Sequence, residues 1–180
     1  MRSAPPALLA DEVHVLRLRS AERGEAGRAL REVLAVYVEA APEAIRIVAG
    51  EHGKPELADG ALRFNLSHSG DIALVAVARD RDVGVDVERI DPRRDVLALA
   101  ERVLGADGAD AVRAAPPADR AVVFHQWWVR REAAAKCAGT GLGTPTPDAP
   151  RQVIDLEVVE GYAAAVAVSG PEPARVDLRA

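Results

Sequence analysis

Asp71-Ile72-Ala73-Leu74-Val75-Ala76-Val77-Ala78 returns in outline as Gly161-Tyr162-Ala163-Ala164-Ala165-Val166-Ala167-Val168. Both runs are short, apolar and built from small or β-branched residues, the pattern of a strand buried on both faces. Each comes late in a half of roughly 85–95 residues and follows a helical segment. The repetition suggests a duplicated α+β unit. Two unrelated buried strands would leave the same trace, and one strand pair does not separate the alternatives.

Working outward, Glu12–Leu18 alternates like a strand. A helical stripe of Leu30, Val33, Leu34, Tyr37 and Val38 lies within about 22–40, ended by Pro42. Strands are predicted over 45–48, 62–66 and 71–78, the last two around a Ser-His-Ser-Gly turn, and over 83–87. A helix is expected over 96–104, and a longer one over 119–138 that stops at Gly139 and Gly141. Residues 143–150 carry three prolines and read as a loop; 154–158 and 162–168 close the chain as strands. On the long helix the apolar stripe is Phe124, Trp127, Ala134, Ala135 and Ala138, with Arg131 falling inside it.

The 180 residues fit one compact unit, divided into an N-terminal half (1–83) and a C-terminal half (84–180). A net charge of −5 argues against general nucleic-acid binding, which needs a basic surface. One cysteine, Cys137, excludes an intramolecular disulfide and argues against a thiolate metal site. No apolar run reaches the roughly 20 residues of a membrane span, and the N-terminal apolar patch (Ala7–Ala10) is too short for a signal peptide. A cytoplasmic protein is expected.

Three clusters carry chemistry. In Gly84-Val85-Asp86-Val87-Glu88, period-2 geometry puts Asp86 and Glu88 on one face, about 7 Å apart, with Val85 and Val87 on the other. Such a pair suits Mg²⁺, which takes one or two carboxylates plus water and phosphate oxygens; a solvated strand face has the same pattern. Glu132 and Lys136, spaced i, i+4, share a helix face at the edge of the apolar stripe. They suit a cleft, or a surface ion pair worth only about 0.3–0.5 kcal/mol. Ser67-His68-Ser69-Gly70 and the turn lysine Lys54 suit phosphate contacts, or a hydrogen-bonded turn and a solvated lysine.

Taken together and in order, these segments resemble one family. Gly53-Lys54-Pro55, Phe64-Asn65-Leu66-Ser67-His68-Ser69-Gly70, Gly84-Val85-Asp86-Val87-Glu88 and the run Trp128-Val129-Arg130-Arg131-Glu132-Ala133-Ala134-Ala135-Lys136-Cys137-Ala138-Gly139-Thr140-Gly141-Leu142 are similar to the motifs of Sfp-type 4′-phosphopantetheinyl transferases. The dense similarity covers 53–142, and 161 onward resembles the family's closing strand. Val129 replaces the family's usual Thr or Ser, and Arg131 its usual Lys.

The resemblance implies an α+β fold of two pseudo-duplicated halves, each a small, mainly antiparallel sheet packed with helices, with the active site in the cleft between them. It implies transfer of 4′-phosphopantetheine from coenzyme A to a serine of an acyl or peptidyl carrier protein, releasing adenosine 3′,5′-bisphosphate. It implies a metal site of Asp86, Glu88 and Glu132 for Mg²⁺, with Mn²⁺ as the alternative ion. Glu132 would be the base and Lys136 the leaving-group partner, while Arg28, Lys54, Ser67 and His68 match CoA-binding positions. Arg17 and Arg19 are candidates for the 3′-phosphate. Arg113, Arg120 and Arg130 are candidates for an acidic carrier, and a monomer is expected. A non-catalytic CoA- or carrier-binding relative is the alternative, expected to lack one of the acids or Lys136; all four are present.

Overall fold

The computed structural model describes residues 7–19, 23–50, 53–140 and 149–179. The start of the first predicted helix, Gly141, Leu142 and most of the proline-rich loop lie outside them. The elements are β1 (Glu12–Arg19), α1 (Arg23–Tyr37), a 3-10 turn (Pro42–Ala44), β2 (Ile47–Ala49), β3 (Pro55–Leu57), β4 (Arg63–Ser69), β5 (Ile72–Ala78) and β6 (Val83–Arg89). They continue with α2 (Leu97–Val103), α3 (Gly105–Ala114), α4 (Arg120–Ala138), β7 (Arg151–Asp155), β8 (Tyr162–Ser169) and β9 (Arg175–Arg179).

The class is α+β, with strand pairing mostly antiparallel. One sheet runs β4-β5-β1-β9, a second β6-β8-β7, and β2-β3 forms a separate hairpin. The echoed sequences are both inner strands: β5 lies between β4 and β1, and β8 between β6 and β7, while β1, between β5 and β9, is a third. That position explains their composition, since every residue of β5 and Ala163–Val168 of β8 is buried. In chain order α1 follows β1 and precedes β4 and β5, and α2–α4 follow β6 and precede β7 and β8.

The two sheets share one apolar core. Val13, Val15, Ile72, Leu74, Ala76 and Ala78 of the first meet Val83, Val85, Val87, Ala164, Val166 and Val168 of the second. The outer face of the first sheet is covered by α1 through Leu30, Val33 and Leu34, as the stripe predicted, with Tyr37 and Val38 packed alongside. The outer face of the second is covered by α4, whose Val129, Ala133 and Cys137 lie on Ala163, Ala165 and Ala167. Alanines along β8 let a helix sit close to the sheet.

Several features depart from the sequence reading, among them β3 (Pro55–Leu57), which forms where no strand is expected. Residues 105–114 form α3, which had no assignment. The strand expected at 154–158 is shifted to β7 (Arg151–Asp155). β9 was not foreseen; it pairs parallel with β1, from Glu12↔Arg175 to Leu16↔Arg179, so the end of the chain returns to the first sheet. The 83/84 division falls inside β6.

β9 also completes a buried polar cluster. His14 is 1% exposed, its Nδ1 2.9 Å from the Tyr37 hydroxyl and its Nε2 3.0 Å from Arg179 Nη2. Arg179 donates, so Nε2 accepts and the ring proton belongs on Nδ1. Burial, then the Arg179 charge, hold His14 below its ordinary range, and burial pushes Tyr37 up to about 12. A folded-state pKa below the unfolded value means the unfolded chain binds the extra proton first. This contribution is complete above about pH 6.5 and is lost as pH falls through the folded value. Urea unfolding between pH 5 and 7 is expected to show stability rising with pH, with a shallower rise in His14→Phe.

Candidate active site

β6 is an edge strand of its sheet, so its outward N–H groups need partners from elsewhere. β4 supplies them with side chains. Asn65 Oδ1 accepts from Val85 N–H at 3.0 Å, Ser67 Oγ from Val87 N–H at 3.3 Å and Ser69 Oγ from Arg89 N–H at 3.0 Å. The predicted Ser-His-Ser-Gly turn is therefore corrected. β4 stays extended through Ser69, because only a period-2 strand can meet N–H groups that recur every second residue. The chain turns at Gly70, whose φ of +58° suits glycine and whose missing Cβ leaves room for the Tyr162 hydroxyl. That hydroxyl donates to Asp71 Oδ1 at 2.6 Å, a second tie between the two sheets.

α4 crosses the other side of β6. At Gly84 a Cβ would lie 2.2 Å from the Ala133 carbonyl oxygen and 2.3 Å from the Cys137 nitrogen, so glycine is what permits the approach. The predicted single stripe on α4 is also corrected. Phe124, Trp127 and Trp128 pack against α2 and α3, Val129, Ala133 and Cys137 against β8, and Arg131 is exposed. A helix wedged between a sheet and a helical pair buries two faces, which a one-stripe wheel merges. α4 ends at Gly139 (φ +70°), where Thr140 N–H bonds the Ala135 carbonyl and Gly139 N–H that of Lys136.

These crossings bring Asp86, Glu88, Glu132 and Lys136 to one seam. Asp86 is 3% exposed. Its Oδ1 accepts from Lys136 Nζ at 2.7 Å and from Ser67 Oγ at 2.8 Å, while its buried Oδ2 has no partner. Burial pushes the Asp86 carboxyl above its ordinary range, with Lys136 pulling the other way. Ser69 Oγ donates to Glu88 Oε2 at 2.9 Å. Glu132 is also pushed up, by burial first and then by Asp86 and Glu88, against the opposing Lys136 charge.

Asp86 and Glu88 thus both bear on Glu132, and Lys136 opposes them. Among the described residues no three His, Cys, Asp or Glu side chains stand close enough together to hold a metal ion as they are placed. The donor set nonetheless fits a hard divalent ion: it is all oxygen, two of its acids are destabilised as anions, and Asp86 Oδ2 is buried and unused.

The other predicted residues are more dispersed. Lys54 Nζ donates to the carbonyls of Val83 and Cys137, both at 3.1 Å, bracing the β3 turn against the start of β6 and the end of α4. Burial lowers its amine pKa. Lys54→Ala leaves two carbonyls short of a donor, so a stability loss of about 1–3 kcal/mol is expected in urea unfolding. His68 alternates with Ser67 and Ser69 and so points from the opposite face of β4, half-exposed. Arg28 stands on α1, on the outer face of the first sheet, its guanidinium 4.0 Å from Glu32.

Arg17 donates to the Val158 carbonyl at 2.8 Å. Arg113 pairs with Glu101 and Asp110, Arg120 donates to the Ala115 carbonyl, and Arg130 bonds Asp155 at 2.7 Å. All three carrier candidates are engaged within the chain. The roles of Asn65 and Ser69 as partners of the β6 edge, and of Tyr162 as the partner of Asp71, are not among the sequence expectations. The visible signal for the first two was the polar alternation Asn65-x-Ser67-x-Ser69 running into an apolar strand.

A family model described as the 4′-phosphopantetheinyl transferase superfamily matches residues 82–171. The chain is 33% identical over 168 residues to the 4′-phosphopantetheinyl transferase HetI of Nostoc sp., an alignment covering 82% of this chain and 71% of that protein. It is 38% identical over 119 residues to the 4′-phosphopantetheinyl transferase AcpT of Escherichia coli, covering 66% and 58%. With psf-1 of Bacillus pumilus, also a 4′-phosphopantetheinyl transferase, it shares 38% over 92 residues, covering 51% and 38%. The matched span runs from the start of β6 through α4 to the end of β8, and on that ground the chain belongs to the 4′-phosphopantetheinyl transferase superfamily.

Proposed function

We infer that the seam of β4, β6 and α4 is where 4′-phosphopantetheine passes from coenzyme A to a carrier-protein serine. The observation that carries this is the convergence of Asp86, Glu88, Glu132 and Lys136 at one seam, where one carboxylate oxygen of Asp86 is buried and unpartnered. The serine Oγ attacks the β-phosphorus, a P–O bond forms to it, and the bond to the bridging oxygen breaks, releasing adenosine 3′,5′-bisphosphate. Glu132 accepts the serine proton. Lys136, already at the seam, compensates the charge that grows on the departing bisphosphate. Lys54, His68 and Arg28 are assigned to coenzyme A. Asp86, Glu88 and Glu132 would hold Mg²⁺ or Mn²⁺, which when bound offsets the pyrophosphate charge.

The matching strand orders β4-β5-β1 and β6-β8-β7 support a duplicated α+β unit, with the reaction centre at the junction of the halves. Among the described residues no helix is long and apolar enough to cross a membrane; a cytoplasmic monomer is the proposed setting.

A cation that binds only the folded chain raises its stability, by about 2.7 kcal/mol at 100 times its dissociation constant. Mg²⁺ or Mn²⁺ is therefore expected to raise the melting temperature of the wild type, and to do so much less in Asp86→Asn. Equal shifts in both proteins would remove Asp86 from the cation site. Transfer that persists at full rate in EDTA, with bound metal confirmed absent, would remove the cation from the reaction.

A further inference from the structure

The serines of β4 each make two kinds of bond at once, and the pairing is regular. Ser67 Oγ accepts the N–H of Val87 and donates to the carboxylate of Asp86, the residue before it. Ser69 Oγ accepts the N–H of Arg89 and donates to the carboxylate of Glu88, again the residue before. Each hydroxyl is thus a staple between a β6 backbone amide and the adjacent β6 carboxylate.

A hydroxyl has one hydrogen and two lone pairs. Ser67 uses all three, because Lys136 Nζ also donates to its Oγ at 3.1 Å. No hydrogen-bonding capacity is left on Ser67 for a phosphate while this network stands. Ser69 has its hydrogen committed to Glu88, which fixes one carboxylate oxygen, Oε2, and leaves Oε1 for another ligand. Glu88 is only half-buried, so without that bond its long side chain would sample several rotamers.

We propose that Ser69 and Ser67 are positioning residues, which clamp Glu88 and Asp86 to the β6 backbone and so preset the carboxylates that receive the divalent cation. This rests on the reading of those acids as the cation site. The clamp acts on orientation: a group that orients a ligating carboxylate governs metal affinity without touching the metal. It also gives β4 its sequence logic. Asn65, Ser67 and Ser69 pair the β6 edge in place of a backbone ladder, and only the two serines, which carry a hydroxyl hydrogen, stand next to acids.

The test uses Ser69, which lies at the less buried end of the ladder, in Ser69→Ala and Ser69→Thr of the full chain. Mn²⁺ affinity is measured by electron paramagnetic resonance without coenzyme A, amide exchange of Arg89 by NMR, and KM for coenzyme A by steady-state transfer. Ser69→Ala is expected to weaken Mn²⁺ binding about 10-fold, to speed exchange at Arg89, and to leave KM for coenzyme A unchanged. Ser69→Thr, which keeps the hydroxyl, is expected to restore Mn²⁺ binding. Wild-type affinity in Ser69→Ala, an equal loss in both variants, or a wild type that binds no Mn²⁺ overturns the clamp. Failure of the wild type to modify any carrier, with the Mn²⁺ and exchange results as expected, would instead overturn the transfer reaction and leave the clamp standing.

Discussion

Glu132→Gln is expected to lower kcat for phosphopantetheine transfer by about 100-fold or more, with KM for coenzyme A little changed. The amide keeps the shape of the side chain, so α4 and its contacts with β6 survive. It cannot take the serine proton, and it is a poorer ligand for a divalent cation. Both roles matter most as charge develops in the transition state, which is why the loss belongs in kcat. The pH profile gives a second readout. Burial, Asp86 and Glu88 hold the Glu132 carboxyl above the ordinary glutamate range. A base with a raised pKa is protonated sooner as pH falls, so the acid limb of kcat starts at a higher pH than for an ordinary glutamate. A bound cation favours the ionised form, so raising Mg²⁺ is expected to move that limb to lower pH. Near wild-type kcat in a correctly folded Glu132→Gln would take Glu132 out of the reaction.

Gly84→Val is expected to cost about 3 kcal/mol or more of folding stability. The first added carbon would sit 2.2 Å from the Ala133 carbonyl oxygen and 2.3 Å from the Cys137 nitrogen. Both atoms are backbone of α4, so no side chain can swing aside; the helix must lift from β6. Lifting α4 also separates Lys136 from Asp86, now 2.7 Å apart, so activity is expected to fall with stability. Gly84→Ala tests the same contact with less bulk. Urea unfolding of either variant within error of the wild type would mean that α4 does not rest on this glycine.

The sequence carried the parts of this structure that depend on local pattern. Period-2 spacing put Asp86 and Glu88 on one face, and i, i+4 spacing put Glu132 beside Lys136. The echo between 71–78 and 161–168 marked β5 and β8, the two strands buried along almost their whole length, because a strand buried on both faces cannot alternate polar with apolar. What stayed hidden depends on partners remote in sequence. The glycine that opens the GVDVE motif is explained only by the helix crossing it. The serines of β4 look like turn residues until the unpaired edge of β6 is beside them. β9 is a short, half-polar strand whose pairing with β1 joins the two ends of the chain. Lys54 looked like a free phosphate ligand on a turn, yet two of its donors are aimed at main-chain carbonyls. Arg130 finds Asp155 and Arg113 finds Glu101 only through tertiary contacts, whereas the partners Asp110 of Arg113 and Ala115 of Arg120 are local once α3 and the start of α4 are in place.

The most direct measurement is intact mass spectrometry of several apo carrier proteins after incubation with this protein, coenzyme A and Mg²⁺. The expected result is a mass gain of one phosphopantetheine group on the carrier, located at a single serine, with adenosine 3′,5′-bisphosphate released in equal amount and neither change in a parallel sample with Glu132→Gln. Carriers that stay unmodified while the folded protein binds coenzyme A would contradict transfer and favour a binding-only relative; release of inorganic phosphate from simple esters without any carrier would contradict it in favour of hydrolysis.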